Sequence, residues 1–558
     1  MENNLNTRTG GQLLVECLIS QDAKFGYCVP GESYLGVLDA LYEVKDKLEL
    51  IICRQEGSVA FMAEAHGRLT GLPGLGFVTR GPGAANAVIG VQTAHLDGTP
   101  MILFIGQVPR KNRERGAFQE LDLKGLFGSI AKLVMDIDHA DRIPEIISRA
   151  YRTACSGRPG PVVIGLPDDM QLELTEAVPC KRIVPTKTGP SSDSLIQLRE
   201  MISAAQRPLI LLGAKPSNWC QTASDDLQIF VENFDLPVAT VFRRQDQFDN
   251  SHPNYVGVKG VGNDPQLEKL VAEADTLIVI GAEITDIESN GYTKYGIPNP
   301  TQKLIHICAN HYDLGKVFQP DLAIVSDYEE ITRALSLFPR AERVVWSDWV
   351  KQGRENFLKF TTDPGHYQKA DLAGIMMWLR ENTAEDTIVS FGAGNYTQWV
   401  QRYYGYTKFG NQMATQSAIM GYSVPAAISA SLLYPERTIL SFAGDGCFLM
   451  NGQEIATAAR YNANVKFIVI NNSLYGSIQM HQERRFPNRS IACDLTNPEF
   501  DKLAQAYGLP AKKVTSLDEF KLAYTELDKT SGPCLIEIVT GQDILTPSLK
   551  LADLRKGS

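Results

Sequence analysis

The run GDGCFLMNGQEIATAARYNANVKFIVINN, from Gly444 to Asn472, sets an acid between two glycines and ends on paired asparagines. The carboxylate of Asp445 and the side-chain carbonyl of Asn472 are hard oxygen donors. Magnesium takes such donors together with water and phosphate oxygens. Gly444 and Gly446 permit close backbone approach, and N–H groups that open a helix favour a diphosphate. RTILSFAGDG reads as a strand ending in a tight turn. GQEIATAARYNA reads as a helix with Ile455, Ala458 and Ala459 at helical spacing, and VKFIVINN as a second strand. A βαβ crossover keeps the two strands parallel, so Asp445 and Asn472 reach the same sheet edge, where open sheets bind ligands. A lone Gly-Asp-Gly is most often only a turn. With paired asparagines at the next strand end, a metal–diphosphate site is the better account.

The elements that must position these residues recur along the chain. KFGYCVPG, ELIICRQEG, GLGFVTRGPG, PMILFIGQ and GPVVIGLP are short apolar runs closed by Gly or Pro, the signature of buried parallel strands between helices. A polar segment, 174–194, reads as a linker. RPLILLGA, LPVATVF, ADTLIVIGAEI and QKLIHICA form a second series, followed by an irregular stretch at about 338–370. DTIVSFGAGN, RTILSFAGDG, VKFIVINN and GPCLIEIVTG form the third. The pattern predicts an α/β protein of three open, doubly wound parallel-sheet domains: 1–175, 190–340 and 365–548.

At 558 residues the chain exceeds one ordinary core. A net charge of −10, with the acids dispersed, argues against a nucleic-acid surface. The N-terminus shows no basic leader before an apolar run, and no apolar stretch reaches the ~18 residues of a membrane span. Ten scattered cysteines without a CxxC pair predict free thiols and a cytoplasmic protein.

The Gly444–Asn472 run resembles the thiamine-diphosphate motif. CRQEGSVAFMAEAHGRLTG, VTRGPGAANAVIGVQTAHLDGTPMILFIGQVPR, AFQE, GRPGPVVIGLPDD and MGYSVPAAISA extend the resemblance, end to end, to the acetolactate synthase branch of thiamine-diphosphate enzymes. The resemblance implies thiamine diphosphate and Mg²⁺ as cofactors. Asp445, the Asn472 side chain and the Leu474 carbonyl would hold the metal. Gly444, Gly446 and Cys447 would meet the diphosphate from one side, and Gly394, Asn395 and Tyr396 from the other. Met420 falls at the position that wedges the cofactor into its bent shape, and the Ala418 carbonyl would accept from its 4′-amino group. Val29, Pro30 and Gly31 would lie under the pyrimidine, and Glu56 would hold N1′, which sets the tautomer that activates the ring. Because the pyrimidine and diphosphate are bound by different subunits in this family, a homodimer at minimum is implied, with a homotetramer favoured. Gln119 and Phe118 would contact substrate. His95, near a strand expected to edge the site, is a candidate for proton transfer.

The implied chemistry is decarboxylation of a 2-oxo acid, pyruvate favoured. The acyl unit is then transferred to a second carbonyl compound, released as an aldehyde, or oxidised. Three positions depart from the family pattern. Glu283, in IGAEITDIESNG, stands where FAD-binding members carry Arg, and Val258-Lys259 replace a Met-His pair; an acid beside a dinucleotide phosphate disfavours FAD. His481 replaces a Trp that shapes the acceptor pocket. Asn395-Tyr396 replace a Gln-His pair, and both can still hydrogen-bond a phosphate. A silent cofactor-binding subunit and a flavin-dependent oxidase are the remaining alternatives.

Overall fold

The computed structural model describes residues 7–215, 219–363, 365 and 370–556. The first six residues of the N-terminal segment considered above, and residues 364 and 366–369 of the irregular stretch, lie outside it. Three six-stranded sheets, parallel throughout, organise the chain. The first comprises β1 (Phe25–Cys28), β2 (Glu49–Ile52), β3 (Gly74–Val78), β4 (Met101–Gln107), β5 (Leu133–Asp136) and β6 (Pro161–Pro167). Its order is β2-β1-β3-β4-β6-β5. The second comprises β7 (Pro208–Leu212), β8 (Val238–Val241), β9 (Tyr255–Lys259), β10 (Thr276–Ile280), β11 (Lys303–Cys308) and β12 (Leu322–Val325), ordered β9-β8-β7-β10-β11-β12. The third comprises β13 (Ile388–Phe391), β14 (Gln412–Met413), β15 (Ile439–Gly444), β16 (Val465–Asn471), β17 (Ala511–Val514) and β18 (Cys534–Val539). Its order, β14-β13-β15-β16-β18-β17, repeats that of the first.

Burial explains the apolar runs. Every residue of β4, β6 and β16 is buried, because crossover helices cover both faces of a parallel sheet. The helices that matter below are α1 (Glu56–Thr70), α2 (Pro82–Asp97), α3 (Ser347–Thr362), α4 (Thr397–Tyr403), α5 (Asp445–Asn451) and α6 (Gly476–Arg485). By compactness the chain divides into two units. One is Met1–Thr186 with Ile428–Leu433; the other is Lys187–Ala427 with Tyr434–Ser558 and holds both the second and the third sheets.

Two local expectations change. The stretch at 338–370 is not irregular throughout: α3 runs for 16 residues, burying Val350 and Gly353 beneath a polar outer face that hides its periodicity in sequence. The helix after the Gly-Asp-Gly turn begins at Asp445 itself. It tightens to a 3₁₀ turn at Gly452–Glu454 and resumes over Ile455–Arg460. All ten cysteines are free. Among the described residues no helix is long and apolar enough to cross a membrane.

Candidate active site

In an open sheet the ligand crevice lies beyond the carboxyl ends of the strands, where the winding direction reverses. In the third sheet this point falls between β13 and β15. The loop after β13 carries Gly394, Asn395 and Tyr396, and β15 runs directly into Asp445, Gly446 and Cys447. The neighbouring β16 ends at Asn471 and delivers Asn472 and Leu474 to the same edge. These residues, with Met420 and Gly444, line one cleft of about 120 Å³.

The two loops touch. Asp445 is 3% exposed, and burial raises its carboxyl pKa. Hydrogen bonds from Gly446, Asn497, Ser473 and Leu474 pull the other way. The Gly446 N–H donates to Asp445 Oδ1 at 2.9 Å, and Asn497 Nδ2 donates to Asp445 Oδ2 at 2.7 Å and to Asn471 Oδ1 at 3.0 Å. Asn472 Oδ1 accepts from the Leu474 N–H at 3.2 Å, while Gln542 Nε2 donates to the Asn472 carbonyl at 3.0 Å. Gly446 is required sterically, since a Cβ there would lie 2.5 Å from Cε1 of the Tyr475 ring. Among the described residues no three His, Cys, Asp or Glu side chains gather into a metal cluster. A cation in this cleft would therefore rest on one carboxylate with amide and main-chain oxygens, the donor set of a magnesium ion that takes its remaining ligands from phosphate and water.

The structure changes the part assigned to Tyr396. Its hydroxyl accepts from the Gly392 N–H at 3.0 Å, donates to the Phe442 carbonyl at 3.2 Å, and lies 3.7 Å from Cys447 Sγ. Burial pushes its pKa well up, so it stays a neutral internal strut. Tyr396 reaches the cleft with its ring and backbone, not with a hydroxyl free for phosphate. The Cys447 thiol is likewise turned inward, accepting from the Gly421 N–H at 3.2 Å. Asn395 is more open: among the described residues its amide makes only a 3.9 Å contact with Met480 Sδ. Ala418 adopts a left-handed conformation, φ 51°, in the turn preceding Met420.

The first sheet repeats the arrangement. Its reversal lies between β1 and β3, and the carboxyl ends of β2, β1 and β3 lead into Glu56, Val29–Gly31 and Gly81. Glu56 opens α1 just after Gln55, whose side chain caps the helix by accepting from the Ser58 N–H at 3.1 Å. The Glu56 carboxylate is half-buried and accepts from Asn86 Nδ2 of α2 at 2.9 Å. The Tyr34 hydroxyl ties down the Val29 carbonyl at 2.7 Å. Gln119, at φ 60°, packs its carbonyl against Gly81, where a Cβ would meet that oxygen at 2.6 Å. Phe118 is 73% exposed, with Arg80 above its ring. His95 is not brought to this edge. It sits in the last turn of α2, 13 residues beyond Pro82, or about 20 Å along the axis, and its carbonyl accepts from Arg158.

Sequence reasoning missed Asn497, Tyr475 and Asn86. Asn86 lies inside GPGAANA and Tyr475 follows the asparagines, so both had a local signal; Asn497, in LTNPEF, reads only as a turn. Arg243 was missed too. Buried at 2% exposure, it donates to the Thr415 and Gly392 carbonyls at 2.8 and 2.7 Å and braces the loops beneath the cleft.

At the reversal of the second sheet, between β7 and β10, Glu283 is paired with the buried Lys215 at 2.8 Å. Lys259 is buried against Glu268. His481, on α6, is exposed.

Family profiles match the chain in three places: the thiamine pyrophosphate enzyme N-terminal TPP binding domain at residues 8–126, the central domain at 195–335, and the C-terminal TPP binding domain at 392–538. The acetolactate synthase large subunit of Lactococcus lactis is 31% identical, over 95% of this chain and 92% of its own. The probable acetolactate synthase large subunit of Methanocaldococcus jannaschii is 30% identical, over 95% and 91%. The acetolactate synthase isozyme 1 large subunit of Escherichia coli is 30% identical, over 95% and 93%. With its three parallel sheets, the chain belongs to the thiamine-pyrophosphate-dependent, acetolactate synthase-like enzyme family.

Proposed function

We propose that this protein decarboxylates a 2-oxo acid, pyruvate favoured, and transfers the acyl unit to a second carbonyl compound, using thiamine diphosphate and Mg²⁺. The observation that carries the proposal is the meeting of Asp445 with the Asn472–Leu474 turn, opposite the Gly394–Tyr396 loop, in one cleft. Asp445, the Asn472 side chain and the Leu474 carbonyl hold the metal. Backbone groups of Gly444, Gly446, Cys447, Gly394, Asn395 and Tyr396 bind the diphosphate, and Ala418 and Met420 orient the rings. Glu56, from a neighbouring copy in a homodimer or homotetramer, would serve N1′ of the pyrimidine, with Val29, Pro30 and Gly31 among the residues that would hold the ring. Gln119 and Phe118 meet the substrate. When bound, thiamine diphosphate supplies the carbon nucleophile and the electron sink that CO₂ loss requires. The chain supplies position, tautomer and exclusion of water.

A second reading, release of the free aldehyde, draws support from the exposed imidazole of His481 where acetolactate synthases carry Trp. Glu283, an acid where FAD-binding relatives carry Arg, weighs against FAD and a flavin oxidase. The intact set of Glu56, Asp445 and Asn472 weighs against a silent subunit. Ten free cysteines accord with a reducing cytoplasm. The test is to incubate purified protein with thiamine diphosphate, Mg²⁺ and a panel of 2-oxo acids, singly and paired, and to identify the products by mass. An acetohydroxy acid is expected. Aldehyde alone selects the second reading, and CO₂ release from none of the acids refutes both.

A further inference from the structure

A cavity of about 400 Å³ lies at the amino edge of the third sheet, opposite the edge that carries the diphosphate cleft. Its walls come from α3, from the 383–387 segment before β13, and from the 404–411 segment before β14. The volume is that of a small-molecule site rather than a packing defect.

The charge of the lining is one-sided. Among the described residues, Arg354, Arg380 and Arg402 line the cavity against the single carboxylate of Glu385, which is itself engaged by Lys408 at 3.2 Å. Arg354 is held by neutral groups only. Its Nη1 donates to the Asn250 and Tyr255 carbonyls at 2.9 and 3.1 Å, and its Nη2 to the Ser251 carbonyl at 2.9 Å. Among the described residues no carboxylate lies within ion-pair distance of it. Arg402, 8% exposed, donates to the Phe360 and Asp363 carbonyls and to Ser548 Oγ; its nearest carboxylate, Asp363, is at 3.8 Å. Burial lowers the pKa of both guanidinium groups, the sign of cations removed from water without full compensation. Thr387, 1% exposed and also lining the cavity, keeps a hydroxyl without a hydrogen-bond partner among the described residues. Phe357, Tyr404 and Tyr406 add an aromatic wall.

We infer that this cavity is a binding site for a small molecule with an anionic head, carboxylate or phosphate, on a planar apolar body. The head sits among Arg354, Arg380 and Arg402, where an anion supplies the close counter-charge that Arg354 lacks among the described residues and arginine forks match its geometry. The body lies against the aromatic wall. Nothing in the inference requires the reaction proposed above.

Calorimetry on the full-length protein tests it, with saturating thiamine diphosphate and Mg²⁺ occupying the diphosphate cleft. The probes are benzoate, phenyl phosphate and the neutral benzamide. Arg380→Gln is the variant of choice, because Arg380 is exposed and its one ion pair among the described residues, with Glu381, spans 3.7 Å, so the fold does not depend on it. Arg354→Gln is the second variant. One or both anions are expected to saturate, with benzamide at least about tenfold weaker and Arg380→Gln costing about tenfold in affinity. Preference between the two anions identifies the head as carboxylate or phosphate. Binding should persist in Asp445→Ala without thiamine diphosphate, which separates this cavity from the cleft. No saturable binding of either anion, or binding that is indifferent to both Arg380→Gln and Arg354→Gln, overturns the inference.

Discussion

Gly446→Ala tests whether the cleft is built as closely as its geometry indicates. The added Cβ would lie 2.5 Å from Cε1 and 3.0 Å from Cδ1 of Tyr475, and 3.2 Å from Leu495 Cδ1. Ordinary carbon contacts begin near ~3.5 Å, so the ring must retreat by about 1 Å. Forced repacking of this kind costs about 1–3 kcal/mol. Tyr475 cannot retreat alone: its N–H is fixed to the Cys493 carbonyl at 2.8 Å, and it follows Leu474 directly in the chain. The displacement therefore reaches the turn that carries Asn472 and Leu474. At about 1.4 kcal/mol per decade, thiamine diphosphate affinity should fall roughly ten- to a hundredfold. Titrating the cofactor at fixed Mg²⁺ against parent, Gly446→Ala, Tyr475→Ala and the double variant completes a cycle. Removing the ring frees the space the methyl group needs, so the double variant should bind better than the two losses predict, by about 1 kcal/mol or more. Parent-like binding by Gly446→Ala, or strict additivity, refutes the steric account.

Three further outcomes are expected. Glu56→Gln keeps the hydrogen bond to Asn86 sterically possible but removes the acid, so turnover should fall by about 10²–10⁴ while cofactor affinity changes little; equal turnover in variant and parent shows that Glu56 does not serve N1′. Arg68 is 3% exposed and bridges the fully buried Glu64 and Asp97 at 3.0 and 2.9 Å, so Arg68→Met removes the guanidinium that sits between two buried carboxylates. Chemical denaturation should record a loss of about 3–5 kcal/mol, and a loss below about 1 kcal/mol contradicts this. His66 is lowered by burial from 6.5 to about 4. Between those values the unfolded chain binds the proton and the folded chain does not, so stability is full above pH ~6.5 and declines by up to about 3 kcal/mol as pH falls to about 4. His66→Phe should flatten that slope in acid-unfolding curves, and an unchanged slope assigns it elsewhere.

The strands that were legible in the sequence and those that were not divide along a physical line. Thirteen of the eighteen strands in the three large sheets coincide with the apolar runs quoted from the sequence, because parallel strands covered on both faces must be continuously apolar. The five that escaped, β5, β9, β12, β14 and β17, are all edge strands. β14 is two residues long, β17 reads AKKV with two exposed or half-exposed lysines, and β5 is half-buried throughout. An edge strand has one neighbour and needs less apolar surface, so its sequence says less. The same logic applies to the site. That Asp445 and Asn472 share one sheet edge was legible because both stand at the ends of neighbouring parallel strands. Asn497 was not, since its contact with Asp445 depends on where a loop returns in space. His95 was misplaced because closeness in sequence to β4 puts it at the strand's amino end, while the site occupies the carboxyl end.

The most direct measurement is calorimetric titration of thiamine diphosphate into the parent protein, Asp445→Ala and Asn472→Ala, each with Mg²⁺ and again with a chelator. The parent should bind tightly only with the metal, and both variants, still folded, should bind weakly whether or not Mg²⁺ is present. Metal-dependent binding that survives unchanged in both variants contradicts the account.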